Sequence, residues 1–409
     1  MINRFLRTAS TRRLLATIGG CVAVIAGGTA IAVGAQGSGP MPRPAPLAGA
    51  IHRALTASPV RGINASISFT NHLINASELQ GSDPLLGGGT GQAWISNDGR
   101  LRLELYGDNG DPEIVVGKTK WWISDPTLQT VYEGTLPAHS GHKSGKTEAL
   151  PSVAQIQADL NRLMQHVNVS GAVPTDVGGQ PTYTVTVSPQ HSGGLLGQAQ
   201  LAWDAIRGVP LRFAVYARGD NTNPVVELAA TGVSYGPIDS SIFTISPPSG
   251  YKVVRVATPA ATGAQAPARA KLRHGKRQAE ITGVRAVASR VPFKLVAPRK
   301  LVGLPRQSTS LLDMGGGHGA LVTYGQNLGG IVVIEQPATA NSSQRLNLSN
   351  GSGDQARGVS LPTVSIHGTT GQELDTALGT VVRFTRGGVT FTVLGSVPAY
   401  AADAAARAL

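Results

Sequence analysis

The stretch from residue 114 to residue 132 constrains the fold of this chain most. Two short strands, Ile114–Val116 and Gln129–Tyr132, flank a third that carries the adjacent tryptophans Trp121 and Trp122. Gly-Lys before the middle strand and Asp-Pro after it are typical of tight turns, so the three strands form an antiparallel meander. Successive side chains of a strand point to opposite faces. One tryptophan therefore packs in the core while the other contacts something else, and alternation alone leaves open which is which.

The first 35 residues predict the compartment. The basic head, residues 1–13, holds four arginines and no acidic residue, and residues 14–35 hold no charge. A bilayer span needs about 20 apolar residues, and a positive flank places the N-terminus in the cytoplasm. The pattern favours a single-pass anchor in the cell membrane, with the bulk of the chain outside the cytoplasm.

Two other interpretations of this segment stay open. A signal peptide cleaved after Ala35 would give a secreted protein, and a lipoprotein signal would be cut before Cys21. Cys21 is also the sole cysteine of the chain. An intrachain disulfide, a cysteine-based zinc cluster and thiol–disulfide chemistry are therefore excluded.

The net charge of +12 is concentrated in two places, the head and a strip in the second half of the chain. For an extracytoplasmic chain, anionic lipid head groups or cell-wall polymers are the expected partners of such a strip, and a solvated linker is the simpler interpretation. We expect no nucleic-acid partner. The strip comprises Arg269, Lys271, Arg273, Lys276, Arg277, Arg285 and Arg290.

Composition divides the rest of the chain into a Pro/Gly spacer, two domains and a basic Ala/Pro/Gly linker between them. The first domain reads as β-rich, with one strong helix whose start is marked by a capping box of Ser152 and Gln155. The second reads as strands closed by an Ala-rich helix from about Ala399. The predicted segments are the spacer 36–45, the first domain 46–256, the linker 257–285 and the second domain 286–409.

Motifs for catalysis or cofactor binding are weak in this sequence. Gly141–Thr147 resembles a phosphate loop, but it is one residue short between its glycines and Pro151 follows it. His139 and His142 have no carboxylate or cysteine at ligand spacing. We expect no catalytic residues, no metal and no cofactor, and a protein that is not an enzyme.

Three stretches, taken in order, resemble the LolA and LppX-like lipoprotein-carrier superfamily, which includes the stress regulator RseB. The resemblance implies an α+β fold in which a membrane helix precedes a half-open antiparallel β-barrel with covering helices, followed by a small C-terminal α+β domain. It also implies a cavity for an acyl chain or a lipoprotein. The stretches are Ile67–Thr70 with Gly91–Ile95, Gly117–Pro126 and Phe243–Gly250.

On that resemblance, eight residues are candidates for the wall or lid of the lipid cavity. They are Phe69, Trp94, Leu103, Trp122, Ile156, Leu160, Leu163 and Phe213. One feature departs from the carriers, which commonly have a basic residue before proline in the turn after the Trp94 strand. Here that turn is Asn97-Asp98-Gly99, so a carrier-like cycle of opening and closing is not expected.

The second domain resembles the C-terminal domain of RseB/MucB-type regulators of sigma factors, which simple carriers lack. The stretches that carry this resemblance are Leu321–Gly325, Gly330–Glu335 and Gly387–Pro398. Two functions are therefore expected as alternatives. The first is a non-enzymatic, membrane-anchored protein that binds an acyl lipid or a lipoprotein, and the second is a regulator of envelope stress that binds an anti-sigma factor or another membrane regulator.

Overall fold

The computed structural model describes residues 41–74, 87–107, 110–136, 150–191, 193–255, 281–313, 317–326, 329–338 and 362–409. The chain divides into two compact units, which we describe separately. Unit 1 comprises Met1–Gln190 and Gly197–Ala261, and unit 2 comprises His191–Leu196 and Thr262–Leu409. The domain boundaries read from composition stay a prediction.

Unit 1 is built on one sheet of thirteen strands, in which β13 lies parallel to β6. Its strands in chain order are β1 Gly62–Asn71, β2 Gly88–Ser96, β3 Leu101–Leu105, β4 Glu113–Val116, β5 Lys120–Asp125, β6 Thr130–Thr135, β7 Val167–Val169, β8 Val173–Val177, β9 Gln180–Pro189, β10 Leu196–Asp204, β11 Pro210–Ala217, β12 Val226–Tyr235 and β13 Lys252–Arg255. The strand order is β13-β6-β5-β4-β3-β2-β1-β12-β11-β10-β9-β7, and β8 pairs with β9. Among these strands β13 and β7 are the ends of an open path, in keeping with the half-open, mostly β architecture expected from the sequence.

Among its described residues, unit 1 also holds the helices α1 (Leu47–Thr56) and α2 (Val153–Leu163) and a 3₁₀ helix at Ser240–Phe243. The predicted capping box is present, because Ser152 accepts from the Gln155 amide and the Gln155 side chain accepts from the Ser152 amide. Helix α1 packs on a cluster of the sheet that includes Leu201 and Trp203. This arrangement buries one side of β9 and β10 beneath α1.

Unit 2 holds a sheet of eight strands with α3 (Val284–Ala288) and α4 (Ala399–Arg407). Its strands are β14 Lys300–Leu301, β15 Leu304–Asp313, β16 His318–Tyr324, β17 Ile331–Pro337, β18 Thr363–Ile366, β19 Thr369–Thr376, β20 Gly379–Arg386 and β21 Val389–Gly395, in the order β14-β15-β16-β17-β21-β20-β19-β18. The predicted Ala-rich helix is α4. Its alanines pack in one core cluster with Phe384 and Phe391, whose ring centroids lie 5.1 Å apart.

Two strands of unit 2, β15 and β19, do not stand out in the sequence because their residues are mainly polar. The last part of the predicted linker lies in the described residues. Thr282 bridges to Ser310, and the Gly283 amide donates to the Thr309 carbonyl at 2.8 Å, so residues 281–285 are folded into unit 2. A sequence indicates a strand or helix through the periodic spacing of its apolar side chains. The pairings of Thr282 and Gly283 are made by the backbone, so they leave no such pattern in the sequence.

Several predictions concern residues outside the described ranges. They are the basic head 1–13, the membrane segment 14–35 with Cys21, the first half of the spacer, the phosphate-loop-like segment 141–147 and the linker from 257 to 280. Within the part of the chain that the structure covers, no helix is both long enough and apolar enough to cross a membrane.

Glu335 is a fully buried carboxyl group in the core of unit 2. It lies on β17 directly opposite Ala320 and Phe391, with 0% of its surface exposed. One oxygen accepts from the Val296 amide at 2.9 Å, and the other has no hydrogen-bond partner among the described residues. Burial raises the pKa of Glu335 to about 7. The group is therefore protonated in the folded state under mildly acidic conditions.

The raised pKa predicts that unit 2 loses stability as the pH rises. A glutamate in an unfolded chain titrates near about 4.3. The stabilisation from the protonated form is therefore complete below that value and is lost as the pH rises through about 7. We expect a loss on the order of 3 kcal/mol between about pH 5 and about pH 8. Hydrogen exchange of the β16 and β17 amides, corrected for the intrinsic pH dependence, measures it.

Two variants show which of two glutamates causes this pH dependence. Glu335→Gln keeps the acceptor for the Val296 amide and removes the ionisation, so it should flatten the pH profile. Burial also raises the pKa of Glu373 to about 7, with the Asp403 side chain as the next cause. Glu373→Gln is therefore the matched comparison, because it measures how much of the pH dependence comes from Glu373 instead of Glu335. A profile unchanged by Glu335→Gln would contradict the assignment.

Candidate functional site

Strands β2 to β6 of unit 1 align their side chains in rows across the sheet. Residues directly opposite each other in antiparallel strands point to the same face. The register of these strands therefore defines two rungs, which together we call the apolar face. The first rung is Ile95, Leu101, Val116, Trp121 and Gly134, and the second is Ala93, Leu103, Ile114, Ile123 and Tyr132.

The opposite side of the same strands is largely polar around β3. Arg102 lies there with its guanidinium carbon 5.1 Å from the centroid of the Trp94 ring. The same guanidinium pairs with Glu104 at 3.1 Å and with Glu113 at 2.8 Å. This alternation, apolar on one face and ionic on the other, gives the central meander two chemically different sides.

Coverage of the apolar face falls from β1 towards β6. Ala65 and Ala93 are buried in a cluster to which Leu103 contributes from the edge. Further along the rungs, Ile114, Trp121 and Ile123 are only half-buried. None of these three belongs to a hydrophobic cluster formed by the described residues. The face therefore continues past the core as apolar surface that the described chain covers incompletely.

A polar row closes the apolar face at one end. Asp125 and Thr130 are paired across β5 and β6, and both are buried. The Asp125 carboxylate accepts from the Leu128 amide at 2.9 Å. Burial raises the pKa of the neighbouring Tyr132, and the negative charge of Asp125 raises it further. Tyr132 therefore keeps its hydroxyl proton and is the polar boundary of the second rung.

The two adjacent tryptophans have different surroundings. Trp121 lies opposite Val116 and Gly134 on the apolar face. Trp122 lies on the other side, only 7% exposed, in a cluster with Val115 and Val131. The question that alternation leaves open in the sequence is answered by the register.

The stretch Phe243–Gly250 explains why Trp122 is buried. Ile245 and Tyr251 pack on the Trp122 cluster, and β13 then pairs with the edge of β6. Phe243 is itself buried, with the Arg100 guanidinium 4.8 Å from its ring centroid. This part of the chain covers the back of the meander and leaves the apolar face to other contacts.

The structure does not bring the eight predicted cavity residues to one place. Trp94 and Trp122 lie on the face opposite Leu103, because they are directly paired with Arg102 and Val115 of that other side. Phe69 and Phe213 lie on one face, both paired with Leu228 of β12. Contact of any of them with a lipid stays a prediction.

The helical candidates also lie elsewhere. Ile156 and Leu160 pack on α1 through Ala48, Leu47 and Ile51 instead of on the apolar face. Leu163 is half-buried at the end of α2. Ile114 and Ile123, which the sequence analysis does not name as candidates, and Trp121, which it leaves open, are placed on the apolar face by the hairpin register. A two-residue loop between Gly117 and Lys120 pairs Val116 with Trp121.

Within the described part of the chain, no three His, Cys, Asp or Glu side chains are grouped so that they could hold a metal ion. The chemistry of the apolar face itself is that of a hydrophobic surface with one polar end. Such an arrangement suits contact with an apolar ligand.

No protein-family model and no curated protein sequence matches this chain. Solved structures do match. MucB in complex with MucA(peri) shares 15% identity over 88% of this chain and 97% of that chain, with a TM-score of 0.39. The MucA/MucB complex of Pseudomonas aeruginosa shares 15% identity over 88% of this chain and 97% of that chain, with a TM-score of 0.37. A LolA superfamily protein from Nitrosomonas europaea matches 49% of this chain and 98% of its own at 9% identity, with a TM-score of 0.21.

These proteins are of the two types that the sequence resembles, LolA-like and RseB/MucB-like. At these identities and TM-scores the likeness carries no argument about this chain. The functional argument therefore rests on the residues of the apolar face.

The different environments of the two tryptophans predict losses of stability of different size. Trp122→Ala removes a buried ring and should lower the free energy of unfolding of unit 1 by about 3–5 kcal/mol. Trp121→Ala removes a ring that lies outside the core clusters and is partly exposed, so we expect a smaller loss, about 2 kcal/mol. Urea unfolding monitored by far-ultraviolet circular dichroism measures both. A Trp121→Ala loss equal to that of Trp122→Ala would show that Trp121 is a core residue.

Proposed function

We propose that unit 1 binds an acyl chain, of a lipid or of a lipidated protein, along the apolar face, without catalysing a reaction. The observation that carries this proposal is the continuation of two apolar rungs through Ile114, Trp121 and Ile123 beyond the packed core. Soluble proteins rarely leave contiguous apolar surface uncovered unless it contacts a ligand or a partner.

The dimensions of the face fit one acyl chain lying across the strands. Neighbouring strands lie about 4.8 Å apart, so the five strands from β2 to β6 span about 19 Å. One leaflet of a bilayer contributes about half of a hydrocarbon core of about 30 Å. A chain of that length, about 15 Å, therefore extends from the packed core near Ala93 on β2 to Trp121 on β5, which three strand spacings of about 4.8 Å separate.

The energetics favour measurable binding. Burial of a methylene contributes about 0.8 kcal/mol, so about ten methylenes contribute roughly 8 kcal/mol before the costs of association. A net free energy of that size would correspond to micromolar affinity, and the costs of association weaken binding from that limit. The predicted anchor at residues 14–35 would keep unit 1 beside the bilayer, where such ligands are concentrated, and an extracytoplasmic location is part of this proposal.

Brominated palmitate tests the proposal, because bromine quenches only tryptophans that it approaches. The chain has four tryptophans, and of the three in the meander only Trp121 lies on the apolar face. In the full chain, kept in amphipol, we expect saturable quenching at micromolar ligand that is mostly lost in Trp121→Phe.

Trp94→Phe is the matched control, since Trp94 lies on the polar face beside Arg102. It should leave the quenching unchanged. Native mass spectrometry of the same protein should show a co-purified lipid or uptake of the added acid. Absence of both, together with no saturable quenching, would rule out the proposed function.

A protein partner is the second candidate, and the separate core of unit 2 favours it. An eight-stranded sheet with its own helix is not needed to hold an acyl chain in unit 1. The sequence of this unit also resembles the C-terminal domain of RseB/MucB-type regulators, so an anti-sigma factor or another membrane regulator is the partner proposed.

Crosslinking in cells tests this second candidate. A photo-crosslinking residue placed at Tyr400 of α4, which is 78% exposed, should capture a membrane regulator. The same residue placed at Ile206 of unit 1, which is 68% exposed, is the control. Failure of the Tyr400 position and of further exposed positions on α4 to enrich any membrane regulator over the control would count against this role.

A further inference from the structure

Gly134 occupies a strand position where glycine is unfavourable, and the backbone does not require it. It lies within β6, between Glu133 and Thr135. Glycine in a strand interior costs roughly 0.5–1 kcal/mol relative to alanine. The φ angle of Gly134 is not among the positive values that favour glycine. The reason for a glycine here is therefore space and not conformation.

The space above Gly134 is filled by the ring of Trp121. A Cβ atom at Gly134 would lie 2.7 Å from Cε2 and Cζ2 of Trp121 and 2.8 Å from its Nε1. These atoms belong to the flat body of the indole, so the ring lies down on the backbone of β6. A close approach to backbone of this kind is the usual structural use of a strand glycine.

The orientation of this ring decides how much of the apolar face stays open. With glycine at position 134 the ring lies close against β6, in the rung that it shares with Val116. A ring lifted by a side chain at position 134 would stand into the first rung and obstruct it. Since Trp121 belongs to no core cluster of the described chain, packing of the core does not account for the lowered ring.

We propose that Trp121 and Gly134 form a platform that determines ligand specificity by accepting unbranched acyl chains and disfavouring branched ones. This inference rests on the proposed function of the apolar face. A straight methylene chain can keep every carbon at van der Waals distance from a flat indole. Methyl branches hold the chain away from the ring, and dispersion contacts weaken steeply over gaps of less than 1 Å.

Displacement of anthroyloxy-stearate from the full chain in amphipol tests the platform. Palmitate should compete better than phytanate, its methyl-branched counterpart, by about tenfold. Gly134→Ala should weaken palmitate binding by about tenfold, the size of a typical overpacking penalty. Gly232→Ala is the matched control, because Gly232 lies in β12, has no positive φ and has open space where its Cβ would lie.

A double variant shows whether the ring is the cause. In the Trp121→Ala background, adding Gly134→Ala should have no further effect on palmitate binding, because the ring that the new Cβ would displace is absent. Near-ultraviolet circular dichroism of Gly134→Ala without ligand reports displacement of the ring directly. That readout also separates an unfolded variant from a folded one with a lifted ring.

The outcomes distinguish this inference from the proposed function. If the wild-type chain binds neither acid, the proposed function fails, whereas the ring displacement in Gly134→Ala can still be seen. If the wild type binds but Gly134→Ala binds equally well with the same preference, the platform is wrong. If Trp121 emission resists both acrylamide and brominated palmitate, the chain's own residues cover the ring and the platform is likewise overturned.

Discussion

The cross-strand register of β1 to β6 is the constraint on which unit 1 depends. Because opposed residues share a face, the pairing Val116 with Trp121 fixes the side on which every residue of β5 lies. A shift by one residue would move Trp122 onto the apolar face and Trp121 into the core. The short loop between Gly117 and Lys120, closed by a hydrogen bond of 2.8 Å from the Gly117 amide, prevents that shift.

This register gives the two adjacent tryptophans different roles, one in the stability of the core and the other in the proposed binding surface. Trp122 contributes to the core with Val115 and Val131, and the tail after β12 covers it through Ile245 and Tyr251. Trp121 contributes almost nothing to the described core. The three sequence stretches that carry the LolA-like resemblance thus have different physical roles. Phe243–Gly250 covers the back of the meander. The strand with the tryptophans contributes one of them to the covered back and the other to the apolar face.

Much of the fold follows from the sequence, because several helices and strands carry clear local patterns such as capping residues and alternating apolar side chains. The capping box at Ser152, the alternation of Leu101, Leu103 and Leu105, and the Ala-rich helix from Ala399 all appear as predicted. Strands β15 and β19 were missed, since backbone pairing with apolar neighbours stabilises them and their own residues give no periodic pattern. The folded start of unit 2 at residue 281 was missed for the same reason.

The sequence predicted that the candidate site is an apolar surface, but it did not predict which residues form that surface. Aromatic and aliphatic residues were expected to line an apolar surface, and Leu103 does so. The family resemblance grouped Trp94 and Trp122 with it, although a hairpin loop with an even number of residues places Trp121 on the side of Ile114. Ile156 and Leu160 lie on α1 because an amphipathic helix packs on the nearest apolar surface, which α1 supplies through Ala48.

The glycine opposite Trp121 shows what the sequence could not indicate. Gly134 interrupts a strand of β-formers, and from the sequence alone it reads as a weak point or a bulge. Only the three-dimensional pairing shows that the ring of Trp121 occupies the place of the missing side chain. A residue that weakens its own strand is thus explained by the surface it creates on the neighbouring one, where the flat ring extends the apolar face beyond the packed core.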